Sequence, residues 1–243
     1  MKLDMAEEKF EKLSSEQKKK YVVNLIIADS KAKPVTNNQT PVAYVMAGIP
    51  GAGKTEFLDS IVEGLETKGQ YDEFVRIDLD QIVTIYPGYT PKTYAKFRSQ
   101  GTNVLARSVD VLRRKKYNVM IDGTFSGTSG SSIRNVEKLL EDGYRVSLVY
   151  MYDKPEVAWS YTLAREQVTD RGIDKTDFLN SCKNISSNLK EAMIKFRDNP
   201  MFSISIVKQK ELRDKNYDIV TGINDIDNII KEGYNIDNLK ETL

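Results

Sequence analysis

Residues 48–55 read GIPGAGKT, between the apolar run VAYVMA at 42–47 and a helical pattern, TEFLDSIVEGL, that begins at Thr55. The octet fits G-x-x-x-x-G-K-[ST] in the strand–loop–helix setting that gives the pattern its physical meaning. Glycine there lets backbone N–H groups approach phosphate oxygens closely, at φ values other residues avoid. The helix that follows turns its positive end toward the anion. Gly48, Ile49, Pro50, Gly51, Ala52, Gly53, Lys54, Thr55 and the adjoining Glu56 form the candidate nucleotide-binding set. Lys54 is placed to reach the β- and γ-phosphates, and the Thr55 hydroxyl to ligate Mg²⁺. ATP and Mg²⁺ are the expected cofactors. The loop alone establishes nucleotide binding and leaves the destination of the phosphate open.

Outward from the loop, strand-like and helical patterns alternate. Residues 74–78, 118–121 and 145–151 read as strands. A helix carrying Val104, Leu105, Val109 and Leu112 on one face precedes the second of these, and residues 133–140 lie in another. Pro155 opens a further helix at a position that suits proline. Residues 176–198 read as one long helix, 203–207 and 217–220 as strands, and the tail from Asn224 as polar and helical. The alternation predicts an α/β fold with a central, mostly parallel sheet and helices on both faces.

Residues 5–29 carry Phe10, Leu13, Tyr21, Leu25 and Ile26 on an interrupted apolar face, with Ser14 or Ser15 available as an internal cap. The polar, proline-containing stretch 31–41 (KAKPVTNNQTP) reads as a connector. Residues 1–40 are therefore expected to form a helical arm and connector, and 41–243 the nucleotide-binding domain.

Composition narrows the chemistry. Lys plus Arg number 36 against 35 Asp plus Glu, a net charge of +1, whereas nucleic-acid binding favours a strongly basic balance. The chain has no histidine, which excludes imidazole acid–base chemistry and His-ligated zinc. One cysteine, Cys182, excludes an internal disulfide and fits a reducing compartment. Charged residues break up the N-terminal stretch, and 22–28 is too short to span a bilayer, so a cytoplasmic protein without membrane contact is expected.

Three further clusters bear on phosphate transfer. In RIDLD, residues 76–80, Asp78 and Asp80 flank a strand end, where ligands collect in open parallel sheets. A carboxylate there can orient or deprotonate an acceptor hydroxyl. In MIDGT, residues 120–124, Asp122 ends another strand and is a candidate to hold Mg²⁺ or its waters. Arg165 and Arg171 bracket a helix break and are candidates to close over the triphosphate as a lid around 165–175.

These sites, in this order, resemble the zeta-toxin family of P-loop kinases, the toxic half of epsilon–zeta toxin–antitoxin modules. The resemblance covers roughly residues 42–180. It rests on GIPGAGKT, on IDLDQIVTIYPGY at 77–89, on IDGT at 121–124 with Asp122 for the family's Glu, and on the arginine pair. It implies a P-loop kinase fold. It also implies that Asp80 faces the acceptor hydroxyl as base, that Lys54, Arg165 and Arg171 bind and stabilise the γ-phosphate, and that Thr124 lies beside the acceptor. The activity it implies is phosphorylation of the 3′-hydroxyl of UDP-N-acetylglucosamine, and the partner it implies is a small helical antitoxin. Three features depart from the family pattern. Val83 stands where a basic residue is common, Phe125 and Ser126 stand where an arginine often follows, and the lid arginines are close together.

Other acceptors remain open at this point: another nucleotide or metabolite such as NAD, an antibiotic-like alcohol, or a polynucleotide 5′-end, which the near-neutral charge disfavours. A nucleotide-dependent switch without an acceptor is the alternative of another class, and no guanine-specificity N-K-x-D motif is present to support a GTPase.

Overall fold

The computed structural model describes residues 5–36, 38–70, 73–128, 130–170, 172–209, 217–221, 228–229 and 234–243. Helices α1 (Glu7–Glu11) and α2 (Ser15–Ser30) lead into β1 (Val42–Ala47) and α3 (Lys54–Thr67). Next come β2 (Phe74–Asp78), a short α4 (Leu79–Val83), α5 (Tyr94–Arg114), β3 (Asn118–Asp122) and α6 (Ser131–Glu141). The chain continues through β4 (Arg145–Tyr152), α7 (Pro155–Thr169), α8 (Lys175–Phe196), β5 (Phe202–Gln209), β6 (Tyr217–Val220) and α9 (Ile236–Thr242).

The strands form one sheet in the order β2-β3-β1-β4-β5-β6. The pairs β2–β3, β1–β3, β1–β4 and β4–β5 are parallel, and among the described residues only β6 runs antiparallel, against β5. This is the mostly parallel α/β sheet the alternation predicts. β1 lies between β3 and β4: the chain passes from β1 to β2 at one edge, returns to β3 and then crosses to β4 on the other side of β1, so the strand order reverses there. A crevice opens beyond the carboxyl ends of the strands at such a point. The strand ends themselves are buried: all five residues of β3 and the last three of β1 are in the core.

The N-terminal helices, expected as an appended arm, are part of the main core. Phe10, Val22, Val23 and Ile26 are at most 4% exposed. Burying each such side chain contributes roughly 1.5–3 kcal/mol, too much for a loosely attached segment. The Phe10 ring meets Tyr21 and Tyr86 edge-on, with centroids 5.7 and 5.8 Å away, and Tyr86 stacks on Phe97 of α5 at 5.7 Å. Ser14 starts α2 through a reciprocal cap with Gln17, which fixes the break between α1 and α2. Among the described residues no helix is long and apolar enough to cross a membrane.

Candidate active site

The loop after β1 takes the backbone that its glycines permit. Gly51 and Gly53 have φ of 83° and 80°, and Gly53 sits at the start of α3. A Cβ on Gly51 would also collide with the Ala158 carbonyl oxygen of α7. The loop therefore lies against α7 with no room for a side chain. The Gly48 N–H donates to the Thr124 carbonyl at 3.2 Å, which joins this loop to the one after β3.

Lys54 is half-buried at the head of α3, and its Nζ donates to the Ile49 carbonyl at 2.9 Å. Desolvation lowers its pKa to about 8, Asp122 and Asp80 oppose that shift, and the positive charge of Arg165 adds to it. Three residues from three other stretches of chain, Asp80 of α4, Asp122 of β3 and Arg165 of α7, thus act electrostatically on one ammonium group. Arg165 is half-buried near the end of α7. Arg171, its expected partner, lies outside the described residues. α7 ends at Thr169 and α8 begins at Lys175, with Asp170 in the left-handed region at φ 57°.

Parallel register sets Asp78 directly beside Asp122 at the ends of β2 and β3. Burial is the first cause that raises the Asp78 pKa, to about 6, and the charges of Asp122 and Asp80 raise it further. Burial also raises the Asp122 pKa, with Lys54 and Arg76 opposing. Asp78 accepts a hydrogen bond from the Asp80 N–H at 2.8 Å, capping α4. Asp80 lies within α4 and accepts from the Tyr94 phenol at 3.1 Å. The two acids of RIDLD are therefore differently employed: Asp78 closes a helix end, and Asp80 projects from the first turn toward Tyr94.

Asp122 Oδ2 accepts from the Thr55 hydroxyl at 3.5 Å and from Arg76 at 3.1 Å. Thr55 itself is exposed. A hydroxyl and a carboxylate at this separation, next to a phosphate-type loop, are hard oxygen donors of the kind Mg²⁺ accepts. Glu56, beside Thr55, is also exposed.

Thr124 is half-buried, and its Oγ1 lies 2.5 Å from Ser126 Oγ. The segment after it is held from α8. Asn188 donates to the Phe125 and Gly127 carbonyls at 2.7 and 3.1 Å, and Asn184 donates to the Ser126 carbonyl at 3.3 Å. Phe125 adopts φ 59° and is buried, and Val83 is fully buried. Neither position presents polar chemistry to the crevice.

Residues not singled out from the sequence therefore support the site: Tyr94, Asn184, Asn188, and Arg76, which also donates to Asp59 of α3 at 2.6 Å. Arg76 alone left a local signal, a charge inside the otherwise apolar FVRI of a strand. The others are ordinary polar residues on helix surfaces until the fold brings them together.

The Zeta toxin family model matches residues 27–219. The Toxin zeta of Enterococcus hirae is 25% identical over 167 residues, which span 63% of this chain and 56% of that protein. Among solved structures, the PezAT chromosomal toxin–antitoxin system of Streptococcus pneumoniae contains a chain that superposes with a TM-score of 0.62 at 20% identity, over 95% of this chain and 88% of the other. The AvrRxo1-ORF1–ORF2 complex with ATP superposes with a TM-score of 0.64 at 13% identity, over 89% of this chain and 72% of the other. At these identities the structural likeness speaks to the fold.

Proposed function

The chain belongs to the zeta toxin family, and from that premise we propose that it is an ATP-dependent kinase acting on a hydroxyl of a small molecule. The observation that carries this reading is the convergence on Lys54. Asp80, Asp122 and Arg165, from α4, β3 and α7, all lie close enough to shift its proton affinity. A nucleotide-binding loop alone needs a lysine and a hydroxyl. A transfer site also needs a carboxylate on the acceptor side and positive charge around the transferred group.

In this reading Lys54 leaves the Ile49 carbonyl and moves onto the β- and γ-phosphate oxygens, exchanging a hydrogen bond to a neutral carbonyl for hydrogen bonds between opposite charges. Thr55 and Asp122 would hold Mg²⁺, which when bound neutralises phosphate charge. Asp80 orients the acceptor hydroxyl. As the hydroxyl oxygen bonds to the γ-phosphorus, the bond to the bridging oxygen of ADP breaks and the hydroxyl proton passes late to the Asp80 carboxylate. Arg165 and Arg171 stabilise charge on the transferred group. Thr124 contacts the acceptor.

UDP-N-acetylglucosamine is the acceptor implied by the family resemblance, and a small helical antitoxin is the corresponding partner. One observation favours a second reading, a different nucleotide or metabolite. Val83 stands where the family pattern commonly has a basic residue, and Phe125 and Ser126 where an arginine often follows; Val83 and Phe125 are buried and apolar, and Ser126 is an uncharged hydroxyl. An acceptor rich in phosphate would find less charge here, and loss of even one polar contact costs about 1–3 kcal/mol.

The deciding experiment incubates the protein with Mg-ATP and a pooled metabolite extract and searches for mass gains of one phosphate. A gain on UDP-N-acetylglucosamine supports the first acceptor, and a gain on another metabolite supports the second. ATP consumption with no phosphorylated product overturns the kinase reading in favour of a switch.

A further inference from the structure

Arg76 sits in the middle of β2 with its side chain only 12% exposed. Side chains alternate along a strand, so Phe74, Arg76 and Asp78 share one face, and Val75 and Ile77 the other. On its face Arg76 meets three carboxylates. One terminal nitrogen donates to Asp59 Oδ1 at 2.6 Å, and the other donates to Asp122 Oδ2 at 3.1 Å and lies 3.9 Å from Asp78 Oδ2. Its Nε makes no hydrogen bond, so the guanidinium is committed through its two tips.

The two tips grip different elements. Asp59 is on α3, four residues after Thr55, and residues four apart lie on the same helix face. Asp122 ends β3. The fork therefore spans the gap between α3 and β3 on the face where Thr55 reaches toward Asp122, and it does so through the same carboxylate oxygen that the Thr55 hydroxyl touches. A guanidinium is planar, with a fixed distance between its terminal nitrogens, whereas an ammonium is a point charge on a flexible stem whose donors do not hold two partners at a set separation.

We infer that Arg76 is a positioning residue for the divalent cation, its two-tipped hold on Asp59 and Asp122 keeping α3 and β3 at the separation that lets Thr55 and Asp122 act on one ion. This rests on the cation reading proposed above, and it assigns Asp59 as the anchor on the helix side. It differs from simple charge compensation of buried acids, which a lysine would also provide.

The test is thermal melting of the wild type, Arg76→Lys and Asp59→Asn, with ADP in EDTA and then across a Mg²⁺ titration. No turnover is involved. The stabilisation by ADP in EDTA stays at the wild-type value in both variants. The Mg²⁺ concentration giving half of the metal-dependent stabilisation rises roughly tenfold in Arg76→Lys, the scale seen when residues that orient metal ligands are lost. It rises by a smaller factor in Asp59→Asn, where the Asp122 contact survives. Wild-type Mg²⁺ requirement in both variants, with or without a lower melting temperature, overturns the inference and leaves Arg76 as a charge-compensating core residue. Should Arg76→Lys fail to fold, Asp59→Asn decides alone, since Asp59 is half exposed on the helix surface. Absence of any ADP-dependent stabilisation in the wild type is a different result: it removes the nucleotide reading itself, and the inference with it.

Discussion

The Tyr94 phenol donates a hydrogen bond to Asp80 Oδ1 at 3.1 Å, across fourteen residues that include α4 and the turn at Gly88. The first residue of α5 is thereby tied to the carboxylate proposed to face the acceptor. Tyr94→Phe removes one hydrogen bond to a charged group, a loss worth about tenfold in rate if the contact persists through transfer. We expect kcat to fall by about that factor with the KM for ATP unchanged. An unchanged kcat would mean that the acceptor displaces the phenol. Asp80→Asn is expected to lower transfer roughly a hundredfold or more while nucleotide binding persists. A comparable loss in Asp78→Asn alone would exchange the roles of the two acids.

Lys54 links function to pH. In the unfolded chain it titrates near 10.5, and in the folded protein burial brings it down to about 8. Between these values the unfolded chain retains a proton that the folded chain has released, so stability without nucleotide rises with pH through the window. Lys54→Met should lack that rise and show no transfer. Urea midpoints of both proteins at pH 8 and pH 10, read as the difference between them, check the first part. Turnover by the variant would remove the assignment of the loop.

Asp78 behaves in the opposite sense. Its carboxyl is raised from 3.8 to about 6, so between those values the folded chain keeps a proton that the unfolded chain has lost. Stability falls as pH rises through the window and stays lowered above it. Asparagine can still cap α4, so Asp78→Asn should stabilise the protein at pH 7.5 by about 1–3 kcal/mol. At pH 3.5 the gain should disappear. Denaturant melts in EDTA at both values measure this, and a gain of equal size at pH 3.5 would show that ionisation is not its source.

Asn188 is a buried amide serving two carbonyls, those of Phe125 and Gly127. Asn188→Ala leaves both without that donor and should cost about 2–3 kcal/mol, lowering Tm by roughly 4–12 °C for a chain of this size. Because the loop it holds begins at Thr124, the KM for the acceptor should rise more than that for ATP. Equal changes in both would assign Asn188 a purely structural part.

The phosphate-type loop was legible in the amino-acid sequence because its information is contiguous: glycines, lysine and hydroxyl within eight residues, between an apolar run and a helical pattern. The α/β class was legible for a similar reason, since strand and helix periodicities are local. The wider site was legible only as strand-end acids awaiting a sheet order. Arg76 reaches Asp122 across 46 positions and Asn188 reaches Phe125 across 63. Such contacts depend on β3 lying between β2 and β1, and on α8 packing back over the loop after β3. No periodicity encodes these placements, because they follow from the joint burial of many apolar faces. The same burial draws Phe10 and Ile26 into the core, where helical pattern alone suggested an appended arm. The sequence by itself determined the loop and its strand–helix frame. Tertiary structure alone decided which carboxylate meets Tyr94, which caps a helix, and which shares its oxygen between Thr55 and Arg76.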